Sequence, residues 1–165
     1  RSSVQAAPEV IQAVITHLCR TDFMSERDGC LAHSEFSISF SESQLHHMNV
    51  IVEYLLEDRY HPPDAPVLAE KMDLSILDIE ENLQYLVIRG DALRLEDGVI
   101  MATDAIIEAE IALMTWFQQH ETLGVGDFRA LLQTSRKYAM PLLQHFDKKG
   151  LTRRTGDIRI LVDPP

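Results

Sequence analysis

The chain has few cysteines and no long apolar run, and these two absences exclude several classes of protein. Cys19 and Cys30 are its two cysteines among 165 residues, too few for a disulfide framework, so we expect both to be reduced. No apolar stretch approaches the roughly 18 residues of a membrane span, and the first residues, RSSVQAAPEV, lack the apolar core of a secretion signal. The sequence therefore predicts a globular, cytoplasmic protein without a membrane partner, and we expect it to be a monomer.

Motifs for catalysis and for nucleotide binding are also missing. The sequence holds no G-x-x-x-x-G-K-[ST] loop, so we do not expect it to bind or hydrolyse GTP. Its carboxylate clusters have no nucleophile or base beside them, which predicts a solvated helix face and no enzyme. A zinc site is the one metal alternative, but the spacing of its possible ligands fits no common finger. Those ligands would be His17, Cys19, Cys30 and His33. We expect no metal and no cofactor in this chain.

Charge is the strongest positive signal. The formal net charge is -11, yet residues 125–165 carry eight basic and four acidic residues, a net of +4. Residues 1–124 therefore hold the other 7 basic and 22 acidic residues, a net of -15. Such an asymmetry indicates that one end of the chain meets a polyanion, with a solvated basic face as the alternative.

Two segments of the chain resemble each other. LQYLVIRGDALRLEDGVIMA begins at Leu83, and LQHFDKKGLTRRTGDIRILV begins at Leu143. Each pattern predicts a helix end, a left-handed glycine at Gly90 or Gly150, and a short hairpin. A third, weaker copy has a helix ending near Arg20, followed by a turn at residues 28–29.

The segments before each hairpin predict the type of module. Apolar residues recur at helical spacing from Leu45 to Leu56, HPPDAP interrupts that helix, and a short and a longer helix follow. Expected N-caps are Ser75 and Thr103, then Thr134 or Ser135. A helix, a short helix, a longer helix and a hairpin are the order of a winged helix. We predict a mainly α protein with small β wings (α+β), built of tandem winged-helix modules at residues 1–44 (truncated), 45–103 and 104–165.

The last module places cations on the third helix and the wing, the surfaces with which winged helices reach nucleic acids. Arg136 and Lys137 lie in the first helical turn, where the helix dipole favours acidic residues unless a phosphate docks there. Arg153 and Arg154 follow on the first wing strand, and Arg159 on the second. Since strand neighbours alternate faces, Arg153 and Arg154 point in opposite directions unless the strand bulges.

Other residues of the modules refine this interpretation. The middle module is acidic at the equivalent places, SILDIEEN and LRLEDGV, so we expect it to bind nucleic acid weakly. Tyr138 is either a stacking surface for a base or a ring packed in the core with its hydroxyl outside. Phe128, Phe146 and Trp116 lie on apolar stripes and are predicted core residues.

The segment DFRALLQTSRKYAMPLLQHFDKKGLTRRTGDIRIL resembles the final winged-helix module of the selenocysteine-specific elongation factors, the SelB family. The match rests on Phe128-Arg129, Ser135-Arg136-Lys137, Leu142-Leu143, Phe146-Asp147, Gly150, Thr152-Arg153-Arg154 and Gly156. The resemblance implies binding of the selenocysteine insertion (SECIS) hairpin of messenger RNA, which tethers the elongation factor for selenocysteine incorporation at UGA codons. It implies that GTP and selenocysteyl-tRNA bind to upstream domains, and that the ribosome is reached through the full-length factor. The expected RNA contacts are Arg129, Ser135, Arg136, Lys137, Tyr138, Arg153, Arg154 and Arg159.

Two other functions stay open on the residues alone. Winged helices commonly read the major groove, which makes a DNA-binding regulator an alternative, although the acidic middle module would repel a long duplex. Tandem acidic winged helices also suit a protein-interaction scaffold, but that function leaves the C-terminal arginines unexplained.

Overall fold

The computed structural model describes residues 7–21, 23–27, 30–33 and 40–162. The chain forms two compact units, residues 1–40 and 41–165. The first unit is a helix followed by an antiparallel hairpin: α1 (Pro8–Arg20), β1 (Met24–Arg27) and β2 (Cys30–His33). Pro8 begins the helix, where its missing N–H costs nothing. The predicted helix end at Arg20 is confirmed, and the predicted turn at residues 28–29 lies outside the described residues.

The second unit contains two successive sets of three helices and a hairpin. The first set is α2 (Glu42–Glu57), α3 (Ala65–Met72), α4 (Ile76–Arg89), β3 (Ala92–Arg94) and β4 (Ile100–Ala102), with one 3-10 turn at Glu96–Gly98. The second set is α5 (Thr103–Phe117), β5 (Leu123–Gly124), α6 (Val125–Leu132), α7 (Arg136–Lys148), β6 (Thr152–Thr155) and β7 (Ile158–Leu161). We call these sets the middle module and the last module. The predicted class, mainly α with small β wings, is confirmed; the predicted domain limits stay a prediction.

The two modules repeat the same backbone geometry at a spacing of 60 residues. Between the second and third helices, Asp73 and Gln133 both take left-handed conformations, with φ of 53° and 51°. After the third helices, Gly90 and Gly150 have φ of 84° and 77°, as predicted. In each module the residue after that glycine donates its N–H to a carbonyl five residues back, the Schellman motif.

Each module has its own core behind its third helix. In the middle module, α2 packs against α4, and Met48, Ile51, Leu55, Ile79 and Leu86 are fully buried. In the last module, Phe128 and Phe146 are fully buried and meet edge to face at 6.2 Å between ring centroids, as their positions on apolar stripes predict. Burial of each such side chain contributes roughly 1.5–3 kcal/mol, so these helices are held by packing.

Two predictions about single residues are wrong. Trp116 is half-buried rather than a core residue: its ring stacks on His120 at 3.9 Å, and its indole N–H donates to the carbonyl of Thr122. Thr103 does not cap α5, because Ala102 occupies the N-cap position. The Thr103 hydroxyl instead donates to the carbonyl of Gly90 at 2.6 Å, which joins the start of α5 to the end of α4.

The two wings differ in their sheets. The middle module has a two-stranded hairpin, closed by Asp97 and Gly98 with φ of 57° and 75°. In the last module β5 adds a third strand, giving the order β5-β7-β6 with antiparallel neighbours. No helix in the described ranges is long and apolar enough to cross a membrane.

Candidate nucleic-acid interface

The N-terminus of α7 combines cations with an unused cap. Ser135 occupies the N-cap position with extended backbone (φ -89°, ψ 165°), but its side chain makes no capping hydrogen bond. Arg136, Lys137 and Tyr138 form the first turn, which contains no acidic residue. The backbone N–H groups of a helix start and the positive end of its dipole favour an anion. The charge and the free N–H groups at this end of α7 therefore favour an anion there.

The equivalent end of α4 is built differently. The Ser75 hydroxyl oxygen accepts the N–H of Asp78 at 3.1 Å and donates to the Asp78 carboxylate at 2.7 Å, as its predicted capping role requires. The next two residues are Ile76 and Leu77, whose side chains are 49% and 74% exposed. The Asp78 carboxylate and two exposed apolar side chains thus lie at this helix start, so it offers a phosphate little electrostatic attraction.

The wing of the last module presents its two neighbouring arginines on opposite faces. Strands β6 and β7 pair without a bulge, with Arg153 opposite Ile160 and Arg154 opposite Arg159. Arg153 and Arg154 are both exposed, and strand alternation turns them in opposite directions, as predicted. Arg154 shares its face with Arg159, the face that contacts α7, and its Nε donates to the carbonyl of Gly156 at 2.9 Å.

Arg159 lies inside the protein rather than at its surface. Its side chain is 2% exposed, its Nε donates to the Asp147 carboxylate at 3.0 Å, and its Nη2 lies 2.9 Å from the same carboxylate oxygen. The hydroxyl of Thr152, also buried, donates to the same carboxylate at 2.6 Å. A buried guanidinium is stable only when it is paired, so this bond fixes Arg159. The sequence predicts an RNA contact at this position; the structure shows a residue that holds the wing against α7.

A small cleft separates the start of α7 from the wing. Arginines from α7, β6 and β7 line it, and an exposed guanidinium suits a phosphate because it offers a planar fork of donors. Its lining consists of Val125, Arg136, Met140, Arg154, Asp157 and Arg159. The structure therefore brings together three predicted arginines that lie up to 23 positions apart in the sequence.

Lys137 is held by the other module. Its Nζ lies 2.9 and 3.2 Å from the two carboxylate oxygens of Asp64, the residue just before α3. The pKa of Lys137 is raised above its usual value, chiefly by this hydrogen bond with Asp64. The pairing joins residues 73 positions apart, and no local pattern in the sequence signals it.

Tyr138 also faces the middle module. Its ring is half-buried and meets His61 edge to face, with 5.4 Å between centroids, and its hydroxyl lies 3.4 Å from the carbonyl of Pro62. Beside it, the Thr134 hydroxyl donates to the carbonyl of Tyr60 at 2.7 Å. Tyr138 thus packs between modules, which neither the stacking prediction nor the core prediction anticipates. The loop of residues 60–64 therefore contacts the start of α7.

The remaining predicted contact, Arg129, lies on α6 with an exposed side chain. Its carbonyl accepts the N–H of Thr134 at 2.9 Å, which connects α6 to the segment that leads into α7. The described residues contain no group of three or more His, Cys, Asp or Glu side chains that could hold a metal ion. The side chain of Cys30, a member of the zinc alternative, lies outside the described part of the chain.

Two three-helix modules with hairpin wings, the second carrying cations on its third helix and wing, define a tandem winged-helix protein. Residues 115–161 match the family described as "Elongation factor SelB, winged helix". This C-terminal region therefore matches a SelB-type winged helix, and such a winged-helix domain is non-catalytic.

Individual proteins are similar to parts of this chain. The selenocysteine-specific elongation factor of Desulfomicrobium baculatum is 29% identical over 98 residues, which are 59% of this chain and 16% of that factor. The mRNA-binding domain of E. coli SelB, solved with SECIS RNA, is 26% identical with a TM-score of 0.61, covering 75% of this chain and all of that one. A bacterial selenocysteine-specific elongation factor, EF-Sec, matches the fold at 17% identity and a TM-score of 0.58. It covers 94% of this chain and 26% of its own.

Proposed function

We propose that this chain binds the selenocysteine insertion hairpin of a messenger RNA and so tethers a translation elongation factor for selenocysteine incorporation at UGA codons. The observation that carries the proposal is the cation-lined cleft between the α7 N-terminus and the wing. The matched E. coli domain, whose structure contains SECIS RNA, supports the same conclusion.

The geometry suggests how the contacts are divided. Arg136 and Arg154 face the cleft and suit phosphates, while the unused Ser135 hydroxyl and the α7 N–H groups add neutral donors. Arg129 and Arg153 are exposed outside the cleft and extend the surface that an RNA stem or loop would cover. RNA loops are recognised through splayed bases and polar edges, with cations on the backbone. Arg159 acts indirectly, by fixing the wing.

The rest of the function lies outside this chain. In the proposed full-length factor, upstream domains bind GTP and selenocysteyl-tRNA and reach the ribosome, and the factor is cytoplasmic. The chain described here acts as a monomer without a cofactor. The middle module, whose α4 is capped by Ser75 with Asp78 beside it, sets the distance between the RNA-binding surface of the last module and those domains.

Fluorescence anisotropy tests the proposal. The probes are a labelled selenocysteine insertion hairpin, the same hairpin with its loop scrambled, and a DNA duplex, each at two salt concentrations. We expect tight binding to the intact hairpin alone. Equal binding to all three probes, or no binding, would overturn the proposal and favour a scaffold.

A further inference from the structure

Lys137 belongs to two sites at once. It lies in the first turn of α7, next to Arg136 of the proposed RNA-binding cleft, and its Nζ is paired with the Asp64 carboxylate of the middle module. Asp64 occupies the N-cap position of α3, where an Asp usually caps the helix with its own side chain. Here that side chain makes no capping bond. Its carboxylate is directed to Lys137 instead.

The other ion pairs between the described parts of the two modules do not involve the proposed RNA-binding residues. Arg59 pairs with Glu108, and Lys148 pairs with Glu96. Neither pair uses a residue of the α7 first turn or of the cleft. Within the described residues, Lys137 thus differs from these cations in serving both the module contact and the proposed RNA surface.

A phosphate and a carboxylate at one ammonium group repel each other, because both are anions within a few ångströms. A phosphate of the RNA backbone therefore binds Lys137 more weakly while the Asp64 carboxylate stays on the ammonium. The side chains of Lys137 and Asp64 are 52% and 62% exposed, so their pair is easily exchanged. We propose that Asp64 competes with the RNA backbone for the ammonium group of Lys137. This inference rests on the proposed function.

A double-mutant cycle measures the competition. The variants are Asp64→Asn, Lys137→Met and the pair together, with hairpin affinity read by anisotropy at low and high salt. We expect Asp64→Asn to tighten binding by about two- to fivefold at low salt, with a smaller gain at high salt. Lys137→Met should weaken binding more in the Asp64→Asn protein than in the wild type, because Lys137 is then fully available to the RNA.

Two further variants separate competition from general charge. Asp64→Glu keeps a carboxylate within reach and should restore wild-type affinity. Glu57→Gln removes the same charge from the same module, but its partner is Lys71 of the middle module rather than a residue of α7; we expect no gain in affinity. All the side chains changed are exposed, so the variants should fold, which circular dichroism checks.

The outcomes distinguish the inference from the function on which it rests. If the wild type binds the intact hairpin selectively but the two substitutions are additive, Asp64 does not compete for Lys137 and only the inference falls. A gain with Glu57→Gln equal to that with Asp64→Asn would overturn it in the same way. If the wild type does not select the hairpin, both fall together.

Discussion

Arg159 donates from Nε to both oxygens of the Asp147 carboxylate and forms an ion pair with it through Nη2, which joins the last strand of the wing to the last turn of α7. Directly opposite Arg159 on the neighbouring strand stands Arg154. Two cations in that position would normally repel each other. Because Asp147 neutralises Arg159, Arg154 can stand beside it and face the cleft. The orientation of Arg154, a proposed RNA contact, thus depends on the buried pair behind it.

The first prediction concerns stability. Arg159→Met leaves the Asp147 carboxylate without its cation in a largely buried site, and breaking such a pair costs about 3 kcal/mol of unfolding free energy. Urea unfolding followed by circular dichroism measures the loss. Lys149→Met is the matched control, since Lys149 pairs with Glu110 at the surface. It should cost less than about 1 kcal/mol. Similar losses in the two variants would show that the Asp147 pair has no special role.

The second prediction concerns the salt dependence of RNA binding. Each phosphate contact contributes roughly 0.7–0.9 to the slope of log K against log salt. Arg136→Ala and Arg154→Ala each remove a cation of the cleft and should flatten the slope by about one such contact. Arg153→Ala weakens binding less, because Arg153 faces away from the cleft. A slope unchanged in Arg154→Ala would remove that residue from the contacts.

Local features of the fold were predictable from the sequence. Left-handed glycines at Gly90 and Gly150 follow from helix patterns that end abruptly, and the hairpins follow from turn residues between short strands. Opposite faces for Arg153 and Arg154 follow from strand alternation alone. Each of these features depends on residues that are neighbours in the chain.

Contacts between modules were not predictable in the same way. The pairing of Lys137 with Asp64 and the packing of Tyr138 on His61 join residues more than 70 positions apart. Arg159 shows the same limit: composition indicates a surface cation, but the partner that buries it lies 12 positions away on another element. Position in the fold, rather than residue type, decides which arginine is exposed.

The third prediction uses the repeated helix starts. Ser75→Ala removes a capping bond to the N–H of Asp78 and should cost about 1 kcal/mol of unfolding free energy. Ser135→Ala removes a hydroxyl that makes no capping bond, and the cost should stay below about 0.5 kcal/mol. Its effect should appear in hairpin affinity instead. Urea unfolding and anisotropy of both variants check this, and equal stability losses would contradict it.

The fourth prediction concerns pH. Burial, assisted by the nearby Lys149, lowers the pKa of His145 from its usual value of 6.5. As pH falls, the unfolded chain therefore binds this proton before the folded protein does. The stabilisation that His145 gives by staying neutral is complete above pH 6.5 and is lost as pH falls from there to the lowered folded pKa.

His145→Gln should accordingly lose less unfolding free energy than the wild type between pH 8 and pH 5.5, as measured by urea unfolding at each pH. The matched control is His46→Gln, a change of an exposed histidine on α2, for which we expect the wild-type difference between the two pH values. A difference that is the same in His145→Gln as in the wild type would mean that His145 does not set it.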